Sequence, residues 1–278
     1  MTDAAPYRTA RKPVWCPGCG NYGVLAAITG RALPALGIPK HKVLVVSGIG
    51  CSSRIPGYID TYGINSIHGR ALPIAQGAKL AKPELTVVAV GGDGDIFSIG
   101  AGHLPHVVRR NIDITCIMVN NFVYALTKGQ ISPTMPHLER GEGPFLTGEA
   151  YPPVDPLIDM VSYSLSTEAS FVGQGMATDV SHLGWLVEQA IAHKGFSYIS
   201  VLTPCAAFDP PGLFTTLRER ASYLRAGEPV ELPESSEHEA WVHDPGNIRF
   251  AMRLARVPLL EKPYLGVFFR GTEQRMGD

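Results

Sequence analysis

Charge is scarce in this sequence. Asp, Glu, Lys and Arg make up 18% of its 278 residues, against roughly 25% in ordinary soluble domains. Neither sign is in excess: 24 basic and 25 acidic residues leave a net charge of −1, which excludes nucleic-acid binding by bulk neutralisation of phosphates. No apolar run approaches the roughly 18–20 residues of a membrane-crossing helix. The opening Met1-Thr2-Asp3-Ala4-Ala5-Pro6 has no basic stretch leading into an apolar one, so no secretory leader is read there. The expectation is a cytoplasmic protein with neither a membrane nor a nucleic-acid partner. A ferredoxin-like run of cysteines is also missing, and the five cysteines present can serve at most one cluster. Gly48-Ile49-Gly50-Cys51-Ser52-Ser53 and Gly92-Asp93-Gly94-Asp95-Ile96-Phe97 both lack the third glycine of a dinucleotide fingerprint, which disfavours nicotinamide and flavin dinucleotides.

What the chain has is apolar residues, 45% of the total, punctuated by 30 glycines and 23 prolines. Disorder is excluded at that content, and so little charge implies a large core or broad burial against partners. Helical spacing over residues 21–36 stops at Gly37. Residues 43–47, 85–90, 112–119 and 198–202 read as buried strands. They are closed by Gly48-Ile49-Gly50, Gly91-Gly92-Asp93-Gly94-Asp95, Asn120-Asn121 and Thr203-Pro204-Cys205, and residues 198–202 read as the final core strand. Between them the spacing predicts a loop over 51–66, helices over about 71–81 and 99–110, and a long loop from 121 to about 153. A helix from Asp155, a short strand near Phe171 and a helix over about 180–193 follow. Residues 218–225 read as helical, 228–239 as an acidic loop, and everything from Trp241 on as a C-terminal extension. The expected fold class is α/β, a doubly wound, mostly parallel sheet with helices on both faces. Residues 1–210 are expected to form the binding domain, with 211–278 an extension packed on it or on a partner subunit.

Ligands in such sheets bind beyond the carboxyl ends of the strands, where the unusual loops of this chain gather. Asp93 and Asn121 each stand just past an apolar strand with one helix between, so a single βαβ unit can bring them together. Gly92 and Gly94 let the backbone approach an anion closely. A carboxylate, an amide oxygen and a nearby carbonyl suit Mg²⁺ carrying a diphosphate. Taken singly, Gly-Asp-Gly reads as a turn and Asn-Asn as a helix cap; together, after two buried strands, they read as a diphosphate–metal site.

Cys16 and Cys19 form a Cys-x-x-Cys pair before a helix, with no strand preceding it as thioredoxin-type exchange would need. Cys51 and Cys205 follow buried strands on the ligand edge, and Cys116 lies within a strand as a core residue. Four thiolates fit one 4Fe–4S cluster or one zinc, and spacing leaves both open. Their place beside a diphosphate cofactor favours the redox cluster, because a structural zinc has no use there. Of the histidines, His68 stands next to Gly69 at a helix start, suited to a diphosphate, and His103, His106, His137, His182 and His193 read as structural or surface residues.

These residues occur in fixed order in one known family. Trp15-Cys-Pro-Gly-Cys-Gly20, Gly48-Ile-Gly-Cys-Ser-Ser-Arg54, Ser66-Ile-His-Gly-Arg70, Gly91-Gly-Asp-Gly94, Asn120-Asn121, Tyr124-Ala-Leu-Thr-Lys-Gly-Gln130, Ser132-Pro-Thr134 and Thr203-Pro-Cys205 resemble the β subunits of 2-oxoacid:ferredoxin oxidoreductases, which are thiamine-diphosphate enzymes. The likeness covers about the first 210 residues. Arg54-Ile-Pro-Gly-Tyr58 and His68-Gly-Arg-Ala-Leu-Pro73 look most like the 2-oxoglutarate branch. Phe122-Val123, Ala125 and the tail after about Asp209 depart from the family pattern, and the tail leaves docking at that end open.

The resemblance implies a thiamine-diphosphate-binding fold with three cofactors: thiamine diphosphate, Mg²⁺ and one 4Fe–4S cluster. It assigns Mg²⁺ to Asp93, Asn121 and the Val123 carbonyl, and the cluster to Cys16, Cys19, Cys51 and Cys205. Ile49, Gly50, Cys51, Ser52, His68, Gly69, Gly92, Asp93, Gly94, Asp95, Asn121, Val123, Tyr124, Ala125, Leu126 and Thr127 are the implied cofactor residues, with Arg54 and Leu126 toward the substrate. The implied activity is oxidative decarboxylation of 2-oxoglutarate to succinyl-CoA and CO2, reversible in principle, with electrons passing to ferredoxin. The activating glutamate and most of the coenzyme A site are expected on an α subunit, in an α2β2 heterotetramer. Rival readings are a pyruvate or branched-chain 2-oxoacid enzyme, a thiamine-dependent lyase or decarboxylase without electron transfer, and a structural zinc protein without redox activity.

Overall fold

The apolar runs assemble into one eight-stranded sheet in a computed structural model that describes residues 7–136, 157–209, 212–233 and 241–271. Its strands are β1 (Val43–Ser47), β2 (Tyr62–Asn65), β3 (Thr86–Gly92), β4 (Ile114–Asn120), β5 (Phe171–Met176), β6 (Ser197–Leu202), β7 (Ser222–Tyr223) and β8 (Tyr264–Arg270). They lie side by side in the order β2-β1-β3-β4-β6-β5-β8-β7. Every pairing is parallel except that of β8 with β5. The principal helices are α1 (Asn21–Ala27), α2 (Ala71–Ala81), α3 (Leu104–Arg110), α4 (Met160–Ser166), α5 (Val180–Ala192), α6 (Leu213–Arg220) and α7 (Ile248–Ala255).

Every residue of β1, β4, β5 and β6 is buried, because side chains alternate across a sheet that is covered on both sides. Val43, Val45, Val88, Val90, Ile117 and Val119 pack with α1 and α5 on one face. Leu44, Val46, Val87, Ala89, Cys116 and Met118 pack with α2, α3, α4 and α7 on the other. Each such aliphatic side chain contributes about 1.5–3 kcal/mol when fully buried. A third cluster joins Phe122, Val123 and Met135 to Leu202, Cys205, Leu213 and Phe214. It ties the loop after β4 to the loop after β6.

Several sequence expectations change in the fold. The expected loop over 51–66 contains a 3₁₀ turn, Ser52–Tyr58, and the edge strand β2. All four β2 residues are exposed, so no apolar alternation marked it. Residues 198–202 are not the last core strand: β8 enters the same sheet between β5 and β7. The helix expected at 218–225 ends earlier, as α6, and β7 follows it, held by parallel pairing with Tyr264 and Leu265. A two-residue strand carries no local pattern, and its partner lies far along the chain. The helical stretch expected at 99–110 begins earlier, with a π-helical turn at Asp95–Ile99. His137, Asp155, most of the long loop after 136 and residues 234–239 of the acidic loop lie outside the described residues.

Candidate cofactor site

The chain leaves β1 toward β2 and leaves β3 toward β4, on opposite sides. The loops after these two neighbouring strands therefore part, and a crevice opens between them. A cavity of about 140 Å³ occupies it. Ile49, Gly50, Cys51 and Ser52 line it after β1, His68 after β2, and Gly92, Asp93, Gly94 and Asp95 after β3. Asn121, Val123, Tyr124, Ala125, Leu126 and Thr127 close it after β4. Of the cofactor residues named from sequence, Gly69 alone stands outside this lining, and the exposed Arg54 stands outside it too. A larger cavity of about 600 Å³ beside α5, β7 and β8 shares no residue with this one.

Asp95 holds the crevice in shape. Its buried Oδ1 accepts hydrogen bonds from Ile49 N at 3.1 Å and Gly69 N at 2.7 Å, and His68 Nδ1 lies 2.6 Å away. One carboxylate oxygen thus fastens the loops after β1 and β2 to the loop after β3. The carboxylate at Nδ1 fixes that nitrogen as donor and sets the ring's orientation. Gly69 adopts φ +71°, and a Cβ there would stand 2.6 Å from Ile99 Cγ2. A Cβ on Gly48 would stand 1.9 Å from Asp95 Oδ2. Gly48→Ala is therefore expected to cost about 1–3 kcal/mol through overpacking and to loosen the loop bearing Cys51; thermal unfolding of the purified variant measures it.

Asp93 lies next to this hub, fully buried. Burial pushes its carboxyl up to about 6, against the pull of the Ser132 and Thr134 hydroxyls and the N–H groups of Asp93 and Asn121. Asn121 Oδ1 accepts from Val123 N at 3.3 Å, a tight turn that fixes the position of the Val123 carbonyl. Phe122, between them, has a left-handed backbone, φ +65°. That conformation costs a non-glycine residue on the order of 1–3 kcal/mol, and burial of its ring in the third cluster offsets it. A buried carboxylate that resists ionising by itself, beside amide and carbonyl oxygens, is a donor set that fits a hard divalent cation.

The thiol-bearing loops meet at the same end of the sheet. The Cys16–Cys19 turn closes through Cys19 N to Cys16 O at 3.1 Å, and Gly20 N donates to Pro204 O at 3.1 Å, next to Cys205. Trp15 Nε1 donates to Cys51 O at 2.8 Å. Burial raises the Cys51 thiol, its neighbours Cys19, Cys205 and Cys16 raise it further, and Arg54 lowers it. Burial likewise raises Cys205, against the N–H groups of Ala207 and Phe208, with Cys19 and Cys16 adding to the rise. Thiols that feel one another's charge are suited to a shared cationic centre. Among the described residues no three His, Cys, Asp or Glu side chains already form a cage for a single ion. Cys116 is apart from them, sealed in β4 with its thiol pushed up to about 12.

Two lining residues escaped the sequence reading, Asn21 and Val119. Val119 reads in sequence as the end of a core strand. Asn21 reads in sequence as a helix start, and its buried amide is visible only in the fold.

A mostly parallel sheet whose switch-point crevice is lined by a buried aspartate between two glycines and by a half-buried asparagine defines an α/β protein of the diphosphate-cofactor-binding class. Residues 41–201 match the family model of the thiamine pyrophosphate enzymes' C-terminal TPP-binding domain. The chain belongs to that family and, within it, to the β subunits of the 2-oxoacid:ferredoxin oxidoreductases. It is 45% identical over 197 residues to a 2-oxoacid:ferredoxin oxidoreductase subunit beta from a Sulfolobus species, covering 70% of this chain and 63% of that one. It is 43% identical over 231 residues to the 2-oxoglutarate oxidoreductase subunit KorB of Mycobacterium tuberculosis, covering 81% of this chain and 60% of that one. With the 2-oxoglutarate synthase subunit KorB of Archaeoglobus fulgidus the identity is 40%, covering 82% of this chain and 83% of that one. The chain thus spans about three fifths of the length of the first two relatives. A solved 2-oxoglutarate:ferredoxin oxidoreductase from Magnetococcus marinus, with 2-oxoglutarate, coenzyme A and succinyl-CoA bound, superposes with a TM-score of 0.83 at 34% identity, covering 99% of this chain and 88% of that one. Among the described residues no helix is long and apolar enough to cross a membrane.

Proposed function

We propose that this chain is the cofactor-binding β subunit of a cytoplasmic 2-oxoglutarate:ferredoxin oxidoreductase. Its substrates are 2-oxoglutarate and coenzyme A, its products succinyl-CoA and CO2, and its electrons leave through one 4Fe–4S cluster to ferredoxin. The observation that carries this reading is that Cys51 lines the same cavity as Asp93 and Asn121, so a redox centre and a diphosphate cofactor share a wall. Residues 1–210 supply both sites, and 211–278 extend the same sheet through β7 and β8 and offer a surface to a partner subunit.

Asp93, Asn121 Oδ1 and the Val123 carbonyl would hold Mg²⁺, and Cys16, Cys19, Cys51 and Cys205 the cluster. Thiamine diphosphate, when bound, supplies the electron sink that decarboxylation of a 2-oxoacid requires. The chain's own part is to bind and position. His68, oriented by Asp95, and the backbone at Gly92 and Gly94, which lines the same cavity, would hold the diphosphate. The Arg54 guanidinium, exposed on the loop of Cys51 outside the cavity lining, would meet the substrate carboxylate from the mouth, and Leu126 would give the substrate an apolar wall.

An α subunit completes the site with the activating glutamate and most of the coenzyme A pocket, as an α2β2 assembly. Ile49 and Leu126 on the cavity lining, Ile67 beside His68 and Ile99 against Gly69 are large apolar side chains left exposed. An apolar rim around a cofactor mouth is a partner's docking surface. The test is anaerobic co-purification with the partner subunit and visible spectra before and after substrate. The expected result is a brown protein whose absorbance bleaches with 2-oxoglutarate and coenzyme A. A colourless, zinc-loaded protein would end the cluster assignment, and bleaching by pyruvate alone would end the choice of substrate.

A further inference from the structure

Asn21 joins the two halves of the site. It stands two residues past Cys19, at the start of α1, and is buried. Its Nδ2 donates a hydrogen bond to Cys19 Sγ at 3.3 Å. It also lines the cavity that holds Asp93 and Asn121, and its Oδ1 is shielded from solvent with no hydrogen-bond partner. A buried acceptor without a donor is costly and rare in native proteins, and here it belongs to a residue on the wall of a ligand cavity. Gly20 keeps the amide in place: its N–H is bonded to Pro204 O, and a Cβ there would stand 2.5 Å from Thr203 Cγ2. The backbone that carries Asn21 is thereby wedged against the Cys205 loop.

We propose that Asn21 is a positioning residue that couples the cofactor cavity to the cluster: its amide nitrogen donates to the Cys19 sulfur, and its oxygen accepts a hydrogen bond from the occupant of the cavity. This rests on the cluster assignment above. A hydrogen bond to a ligating sulfur disperses negative charge and favours the reduced, more negative cluster. An amide whose oxygen accepts a hydrogen bond becomes a stronger donor at nitrogen. Filling the cavity therefore raises the cluster's readiness to take an electron, on the side from which the electron comes.

The test is reductive titration of the anaerobically purified two-subunit complex, followed by electron paramagnetic resonance, with and without thiamine diphosphate and Mg²⁺. Asn21→Leu is expected to keep its iron and to lower the reduction equilibrium about tenfold, ~59 mV for one electron. It should also lose the upward shift that the cofactor gives the native complex. Asn21→Asp, which keeps the shape and puts charge where the donor was, should shift further in the same direction. It carries the measurement if Asn21→Leu fails to retain iron. Iron-loaded variants with the native midpoint and the native response to cofactor would overturn the proposal. A native complex containing no iron would instead overturn the cluster assignment beneath it, which metal analysis of the unmutated protein reads separately.

Discussion

Cys51→Ser, purified with the partner subunit, is expected to lose 2-oxoglutarate-dependent viologen reduction by a factor on the order of 100 or more, about 2.7 kcal/mol or beyond in barrier terms. The loop survives the change, since Trp15 holds the Cys51 carbonyl and not its thiol, and Asp95 independently fastens Ile49. Thiamine diphosphate should therefore still bind within severalfold of the native affinity, while iron content falls. The combination is what separates the readings. A thiamine-dependent lyase would leave Cys51 incidental, and both CO2 release and cofactor binding would be unaffected. Measuring CO2 release, viologen reduction and iron in the same preparation decides between them. Undiminished viologen reduction would remove Cys51 from the electron path.

Asp93→Asn should have the second large effect, and its signature is in the pH dependence. The folded carboxyl sits at about 6, above its ordinary 3.8, so the ligand-free fold binds a proton more readily than the unfolded chain. Its stability is accordingly fullest below about pH 4 and falls as pH rises to about 6, by a total on the order of 3 kcal/mol. A divalent cation at Asp93 competes with that proton. Mg²⁺ affinity should thus weaken about tenfold per pH unit below 6 and level off above it. The asparagine variant removes both effects: at pH 7 its ligand-free form melts no lower than the native protein, and Mg²⁺ with thiamine diphosphate no longer raises its melting temperature. Calorimetric titration of Mg²⁺ at several pH values, together with melting curves, provides the check. A native Mg²⁺ affinity unchanged between pH 5 and 7 would contradict a role for this carboxylate.

The departures from the sequence reading share one cause. β2 and β7 carry too few buried residues for an alternating pattern to mark them. They exist because β1 and β8 offer open edges. β8 has an apolar run of its own, yet only pairing with β5 places it in the sheet. Asp95 was legible as a ligand-edge residue, but not as the acceptor that fastens two other loops, because Ile49, His68 and Gly69 are remote from it in sequence.

By itself, the sequence determined the parallel α/β architecture, the edge on which the ligand loops gather and the residue types available there. Strand burial, turn chemistry and donor hardness are local properties that a linear pattern records. Only the tertiary structure decided that the β1 and β3 loops part to open one cavity, that Phe122 can hold a left-handed backbone, and that Asn21 touches a thiol and the cavity at once. These depend on strand order and on contacts between segments distant along the chain, where packing overrides the preference of any single residue.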